Sequence, residues 1–261
     1  ETQLGRGFFE VESAPGDSKT MIIELKILTI ARKELSVYFK SPIAYIVLIG
    51  TVSIFNIFFF MIIDQNREAT LKEVFQVMEF MIVFLVPLLT MRVFAEEKAA
   101  GTIEFLMTTP TSNTAIVLGK YLGGLAFFSL LLLITTVYYF LIEYFAQPDR
   151  WATLAGFFGV WLEGALFIAV GILTSSWTRN QVAAAINSYV ILFLLYFSMS
   201  FMPYVPAGGP WVAIVRYLST STHAANFAVG VVAASDIVYD LSGIIFCLVL
   251  TRISIENRLW R

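Results

Sequence analysis

Cysteine and histidine are nearly missing from this chain: Cys247 and His223 are the only ones in 261 residues. A single thiol excludes a disulfide scaffold and leaves the redox compartment open. One histidine without a cysteine cluster excludes a zinc site or an H-E-x-x-H metalloprotease. Charge is scarce as well, at 14% of residues with a net charge of −2, which argues against the basic footprint of a nucleic-acid binder. No G-x-x-x-x-G-K-[ST] occurs, so nothing forms a P-loop around nucleotide phosphates, and no Gly-x-Ser-x-Gly nucleophile elbow occurs either. The chain is instead rich in apolar bulk, with 58% hydrophobic residues, 24 Phe and a mean hydropathy of +0.79. That exceeds what a water-soluble domain tolerates, and the chain reads as an all-α integral membrane protein.

A transmembrane helix needs about 20 mostly apolar residues. Six stretches meet that length: 42–63, 77–95, 119–144, 154–177, 182–202 and 237–253. Residues 1–20 are polar and read as a disordered extension, or a remnant foreign to the natural chain, with Met21 a natural start and one transmembrane domain over 21–261. The Gly- and Pro-rich gap before the last span is expected to hold short re-entrant helices, because irregular backbone survives at membrane depth only where protein or water satisfies it. With the N-terminus inside, the inner flanks carry Lys26, Arg32, Lys33, Lys40, Arg92, Lys98, Lys120, Arg179, Arg252, Arg258 and Arg261. The outer segments carry only Arg67, Lys72, Arg150 and Arg216, so both termini are expected in the cytoplasm of a multi-pass protein of the cell (inner) membrane. Ahead of the first span, IIELKILTIARKELSVYFKS sets Leu25, Leu28, Leu35, Val37 and Phe39 against Lys26, Arg32, Lys33 and Lys40. This is either an amphipathic helix on the inner membrane lipids or a cytosolic extension of the first span. Ser41-Pro42 fits a helix start.

One charged stretch, AEEKAAGTIEFLMTTPTSNTAIVLGK over 95–120, separates two of the most apolar segments. Ile103, Leu106 and Met107 make a short apolar face, and Pro110 stops that helix. Thr111 or Ser112 can cap a second short helix through Ile116, Val117 and Leu118 before Gly119-Lys120 leads into the third span. The result is a cytoplasmic elbow, suited to docking a partner or serving as a plain connector. Pro87 is expected to kink the second span.

Arg92 followed by AEEKAAGTIEFLMTTPTSNTAIVLGKYLGG resembles the signature loop of ABC-2 type transporter permeases, in which an Arg, an Ala-Glu-Glu, a Gly-Thr-Ile-Glu, a Pro and a Gly-Lys recur at this spacing. SSWTRNQ, residues 175–181, is similar to a second loop of that group. STSTH, NFAVGV and DIVYDLSG are similar to the gliding-motility-associated permeases and their relatives in copper-enzyme maturation. The resemblance implies the membrane half of an ATP-driven exporter working as a dimer of six-helix units, homodimeric or heterodimeric. A separate cytoplasmic ABC ATPase would bind ATP and Mg, and this chain would bind no cofactor. In the gliding-type subgroup it also implies a companion membrane protein with a large outer domain. The elbow would then be the coupling segment, with Ser112–Leu118 seated in a groove of the ATPase. The coupling set is Glu96, Glu97, Gly101, Glu104, Pro110, Ser112, Ile116 and Lys120, and any ion pair at this wet edge would be worth about 0–1 kcal/mol. Ser175, Thr178, Asn180 and Gln181 would form the second cytoplasmic loop.

Glu163 falls near the middle of the fourth span, where a charge costs at least about 2.5–3.5 kcal/mol. Relatives tend to have an apolar residue there. It is either a hydrogen-bonded interhelical group, with Asn56 its best partner, or part of the translocation path; Asn187 is a further polar candidate at membrane depth. Two other classes stay open. An intramembrane enzyme would use Ser219 or Ser221 with His223 in the outer loop, and an ion-coupled carrier would need an internal inverted repeat, of which none is convincing.

Overall fold

The computed structural model describes residues 17–66, 71–102, 111–145, 147–204 and 209–256. Among them the chain is helical, with no strand. Helix α1, Asp17–Lys40, stops at Ser41 because the residue before a proline disfavours helical backbone, and α2, Pro42–Asn66, opens with that proline in its first turn. After α3, Lys72–Thr90, and α4, Arg92–Ala99, Gly101 turns the chain with φ +70°, a left-handed conformation that suits glycine. Then come α5, Asn113–Thr135, α6, Val137–Phe145, and α7, Arg150–Trp177, followed by α8, Gln181–Tyr196, and a 3-10 turn over Ser198–Tyr204. Two short helices, α9, Pro210–Leu218, and α10, Thr220–Ala228, precede α11, Ala234–Glu256. Three starts carry side-chain caps: Ser112 accepts from Ala115 N, Asp149 from Trp151 N and Ala152 N, and Asn180 from Val182 N and Ala183 N.

Among the described residues five helical stretches are long and apolar enough to cross a membrane: Ala44–Asp64, Lys72–Ala99, Asn113–Tyr144, Arg150–Trp177 and Ala234–Glu256. A sixth forms if α8 and the 3-10 turn, bent by 60°, count as one. The fifth span is therefore shorter than the expected 182–202. Pro203, in the turn, offers no backbone N–H to an α-helical ladder, and the Ser198 hydroxyl bonds Leu195 O instead. The expected short helix ending before Gly119 is not separate, since α5 runs straight through Gly119. α3 is also continuous through Pro87, and the interruption comes one turn later, at Met91.

Helix α7 is the hub. A Cβ at Gly156 would sit 2.2 Å from the Phe75 ring, at Gly159 2.3 Å from Phe227, at Gly164 2.1 Å from Phe128 and at Gly171 2.0 Å from Thr90. Inside a membrane helices gain little by hiding apolar surface from lipid, so close approach at small residues and van der Waals contact hold them together. The Phe75–Gly156 and Thr90–Gly171 contacts share one offset, so α3 and α7 run parallel in register. On α5, Gly119 receives Ile30 and Gly123 receives Glu34 of α1, and Phe127 stacks on Tyr38 at 4.9 Å. That register is also constant over about two turns, so this half of α1 follows the third span instead of lying across it. Ile46, Ile49, Ile57 and Phe60 of α2 are left on the outside.

Candidate functional site

At one end of the bundle the ammonium of Lys120, on α5, is 1% exposed and donates three hydrogen bonds. They go to Glu34 Oε1 of α1 at 2.9 Å, Glu97 Oε1 of α4 at 2.8 Å and Val93 O at 2.9 Å. Three N–H groups are all a lysine has, so the cation is fully used, and it also lies 5.1 Å from the Phe94 ring centroid. Glycines 119 and 123 make this possible, because a Cβ at either would overlap α1 and push Glu34 away. Beside the cation, Arg92 holds Glu96 at 2.9 and 3.3 Å and reaches Ser41 Oγ at 2.8 Å. Tyr38 donates to Leu89 O at 3.1 Å. Burial, reinforced by the negative Glu34 and opposed by Arg92, pushes its phenol above the ordinary range and keeps it a neutral donor.

Ser175 explains the break between α3 and α4. Its Oγ accepts from Phe94 N and Ala95 N at 3.0 and 3.1 Å and donates to Met91 O at 3.0 Å, so a side chain from α7 stands inside the helical ladder. Nearby, Lys98 Nζ and Ser254 Oγ both donate to Ser176 O. Asn113 Nδ2 reaches Glu256 Oε1 at 3.5 Å, and Arg252 pairs with the same carboxylate. Segments 92–102 and 111–120, the end of α7 and the end of α11 are thus joined at one end of the molecule.

Deeper in the bundle, Glu163 lies midway along α7, 2% exposed, and neither carboxyl oxygen has a hydrogen-bond partner. The carboxyl groups of Glu79 on α3 and Asp240 on α11 are close enough to act on it electrostatically. Ser188 Oγ on α8 is likewise enclosed and unpaired, and Thr220 Oγ1 on α10 is enclosed and faces the Glu163 carboxyl without a well-aligned hydrogen bond. Toward the other end, His223 Nδ1 lies 2.7 Å from Asp236 Oδ1, and its Nε2 lies 3.2 Å from Tyr217 O. The ring stacks on Tyr239 with centroids 4.2 Å apart, and Asp236 Oδ2 accepts from Asn226 Nδ2 at 2.8 Å.

The profile of the family described as "ABC-2 family transporter protein" matches residues 22–255. The chain belongs to that family. A search of curated proteins finds no match. This ABC-2 protein is a multi-pass membrane permease of an ABC transporter, a transport component rather than an enzyme in itself.

Within the permease, the residues singled out from sequence divide sharply. Glu96, Glu97 and Lys120 do come together, but Lys120 is an enclosed strut and not a wet-edge charge, because Gly119 and Gly123 let α1 cover it. Ile116 is 1% exposed and packs into the core, so it offers nothing to a docking partner. Glu104 and Pro110, with Ile103, Leu106 and Met107, lie outside the described residues. Ser175 belongs to the interior, whereas Thr178 and Asn180 shape the turn into α8: Thr178 Oγ1 accepts from Asn180 N at 3.0 Å, and Gln181 is the first residue of that helix. Asn56 makes no bond to Glu163. Asn187 is exposed on the outer surface of α8, and it is the adjacent Ser188 that turns inward. Ser219 and Ser221 pair with each other at 3.0 Å and leave His223 to two acceptors, so the serine–histidine dyad is not assembled. Glu34 escaped the reading of the sequence, and so did the contacts of Ser41, which read only as a helix start, and of Ser176, which read only as part of the second loop. The Gly119–Gly123 spacing was the signal that a helix, and with it Glu34, packs against Lys120.

Proposed function

We propose that the chain is the membrane-spanning half of an ATP-driven exporter whose separate cytoplasmic ATPase docks at the Lys120 end. The observation that carries this reading is the Lys120 junction, which ties α1, α4 and α5 into one unit while Ala99–Thr102, Ser112 and Thr114 stay exposed beside it. A push on that surface would reach the bundle through packed helices and a buried ion triad. The lysine and arginine asymmetry supports this end, and both termini, being cytoplasmic. The exposed Asn187 supports a second permease copy on α8, because a polar side chain at membrane depth is best met by another helix. The similarity to gliding-type permeases supports a third, auxiliary membrane chain with a large outer domain. Glu163 is enclosed in the bundle, so in this reading its two oxygens without a well-aligned partner would meet the translocation path only when α3, α7 and α11 part.

The test is Ala99→Arg, with the permease and its ATPase co-expressed and purified. Ala99 is exposed, and such surface substitutions usually stay within about 0.5 kcal/mol of parent stability. Thermal stability of the permease should hold while ATPase retention falls and transport is lost. Parent-level retention and transport would make the Lys120 end a mere connector.

A further inference from the structure

A cavity of about 320 Å³ opens beside the Lys120 junction, between α1, α2, α4 and the end of α3. Its walls differ in character. One side is apolar, with Val37, Ala44, Val47 and Leu88; the other carries Lys33, Arg92, Glu96 and Glu97. The volume is at the lower end of small-molecule sites. An apolar wall meeting a polar end is the profile of an amphiphile entering from the membrane, not of a water-soluble solute.

We propose that this cavity seats the headgroup and the first part of one acyl chain of a single phospholipid with a zwitterionic, primary-ammonium headgroup, as a resident lipid and not as cargo. The charges argue for both halves of that headgroup. Lys33 is exposed at the rim, and Arg92 spends three N–H groups on Glu96 and Ser41, leaving two of its five for a phosphate oxygen. On the acidic side, Glu97 Oε1 is taken by Lys120, but Glu97 Oε2 is enclosed with no donor. An enclosed carboxylate oxygen without a donor is expensive, and an ammonium supplies three N–H groups. An anionic headgroup without an ammonium would bring its phosphate charge beside Glu96 and Glu97 with no cation to offset it. A quaternary choline has no N–H to offer. The acyl chain would follow Val37, Val47 and Leu88 toward the hydrocarbon. The inference needs only that the chain is embedded in a membrane, and it stands or falls apart from the docking of an ATPase.

The test compares the purified permease in nanodiscs of phosphatidylethanolamine and of phosphatidylcholine, together with native mass spectrometry for retained lipid. The ethanolamine lipid should raise the unfolding midpoint by a few degrees over the choline lipid and be retained at one molecule per chain. Soluble glycerophosphoethanolamine should do neither. Val47→Trp fills the apolar wall, and Lys33→Glu removes a phosphate contact at an exposed position that folding does not depend on. Each should cancel the ethanolamine advantage, and loss of the charged contact should cut retention roughly tenfold or more. Equal midpoints in the two lipids would overturn the proposal, as would an advantage undiminished in Lys33→Glu. A full response to the soluble headgroup would overturn the part assigned to the acyl chain.

Discussion

Two side chains carry most of the chemistry, and their environments predict opposite responses to removal. Lys120 is enclosed between two carboxylates, so Lys120→Met strands Glu34 and Glu97 without a cation; breaking a buried pair from one side costs about 3–5 kcal/mol. The unfolding midpoint in detergent should fall well below the parent, and Lys120→Met with Glu97→Gln should recover part of the loss, because one stranded charge is gone. Equal midpoints for Lys120→Met and the parent would mean that the triad carries no structural weight. Glu163 is the reverse case. Neither oxygen has a partner, so Glu163→Leu should hold or raise the midpoint, and only transport can report a role in the path. If transport by Glu163→Leu and Glu163→Gln equals the parent, the carboxyl does not meet cargo. The depth of Glu163 was legible by counting along an apolar run. Its company was not, because Glu79 and Asp240 come from helices far away in sequence, and the nearer-looking Asn56 and Asn187 lie on faces that helical period alone does not aim.

At the scale of elements, what was legible is what local chemistry decides. Apolar length placed the spans, Ser112 caps α5 as its residue type suggested, and Ser41-Pro42 separates α1 from α2. What escaped was decided by another helix: the interruption at Met91 is made by Ser175 from α7, and Gly119, which read as a helix end, is a contact point inside α5. Glycine therefore has two meanings here, and substitution separates them. At Gly156 a side chain would run into Phe75 on a helix packed in register, so Gly156→Leu should lose about 1–3 kcal/mol or fail to assemble. At Gly50 in α2 nothing lies within 4 Å, so Gly50→Ala should gain about 0.5–1 kcal/mol from reduced backbone freedom. Unfolding midpoints of the two variants moving in the same direction would contradict the assignment of α7 as hub.

For the whole molecule, the uneven burial of the spans asks what covers the rest. In the most apolar stretch of α7, 83% of residues are buried, against 11% in α2, so one copy hides its hub and leaves its rim to the surroundings. Lipid suffices for Ile46, Ile49 and Ile57, which have no polar group to satisfy. It does not suffice for Asn187, exposed on α8 between Ile186 and Val190, about two turns from the start of that helix. An amide at that depth needs donors and acceptors that acyl chains lack, and a second copy related by a two-fold axis would present the same amide in return. Interhelical hydrogen bonds in membranes are worth about 0.6–1.7 kcal/mol, so Asn187→Leu should weaken self-association roughly three- to twenty-fold while leaving the monomer folded. In a Cys247→Ala background, Asn187→Cys should cross-link to itself, since a disulfide requires Cα atoms within about 7 Å and a residue near the axis satisfies that. The control is Leu154→Cys, exposed on α7 and remote from this surface, which should stay uncrosslinked. Efficient self-linking at Leu154 with none at Asn187, and unchanged association in Asn187→Leu, would rule out a second copy at this face of α8.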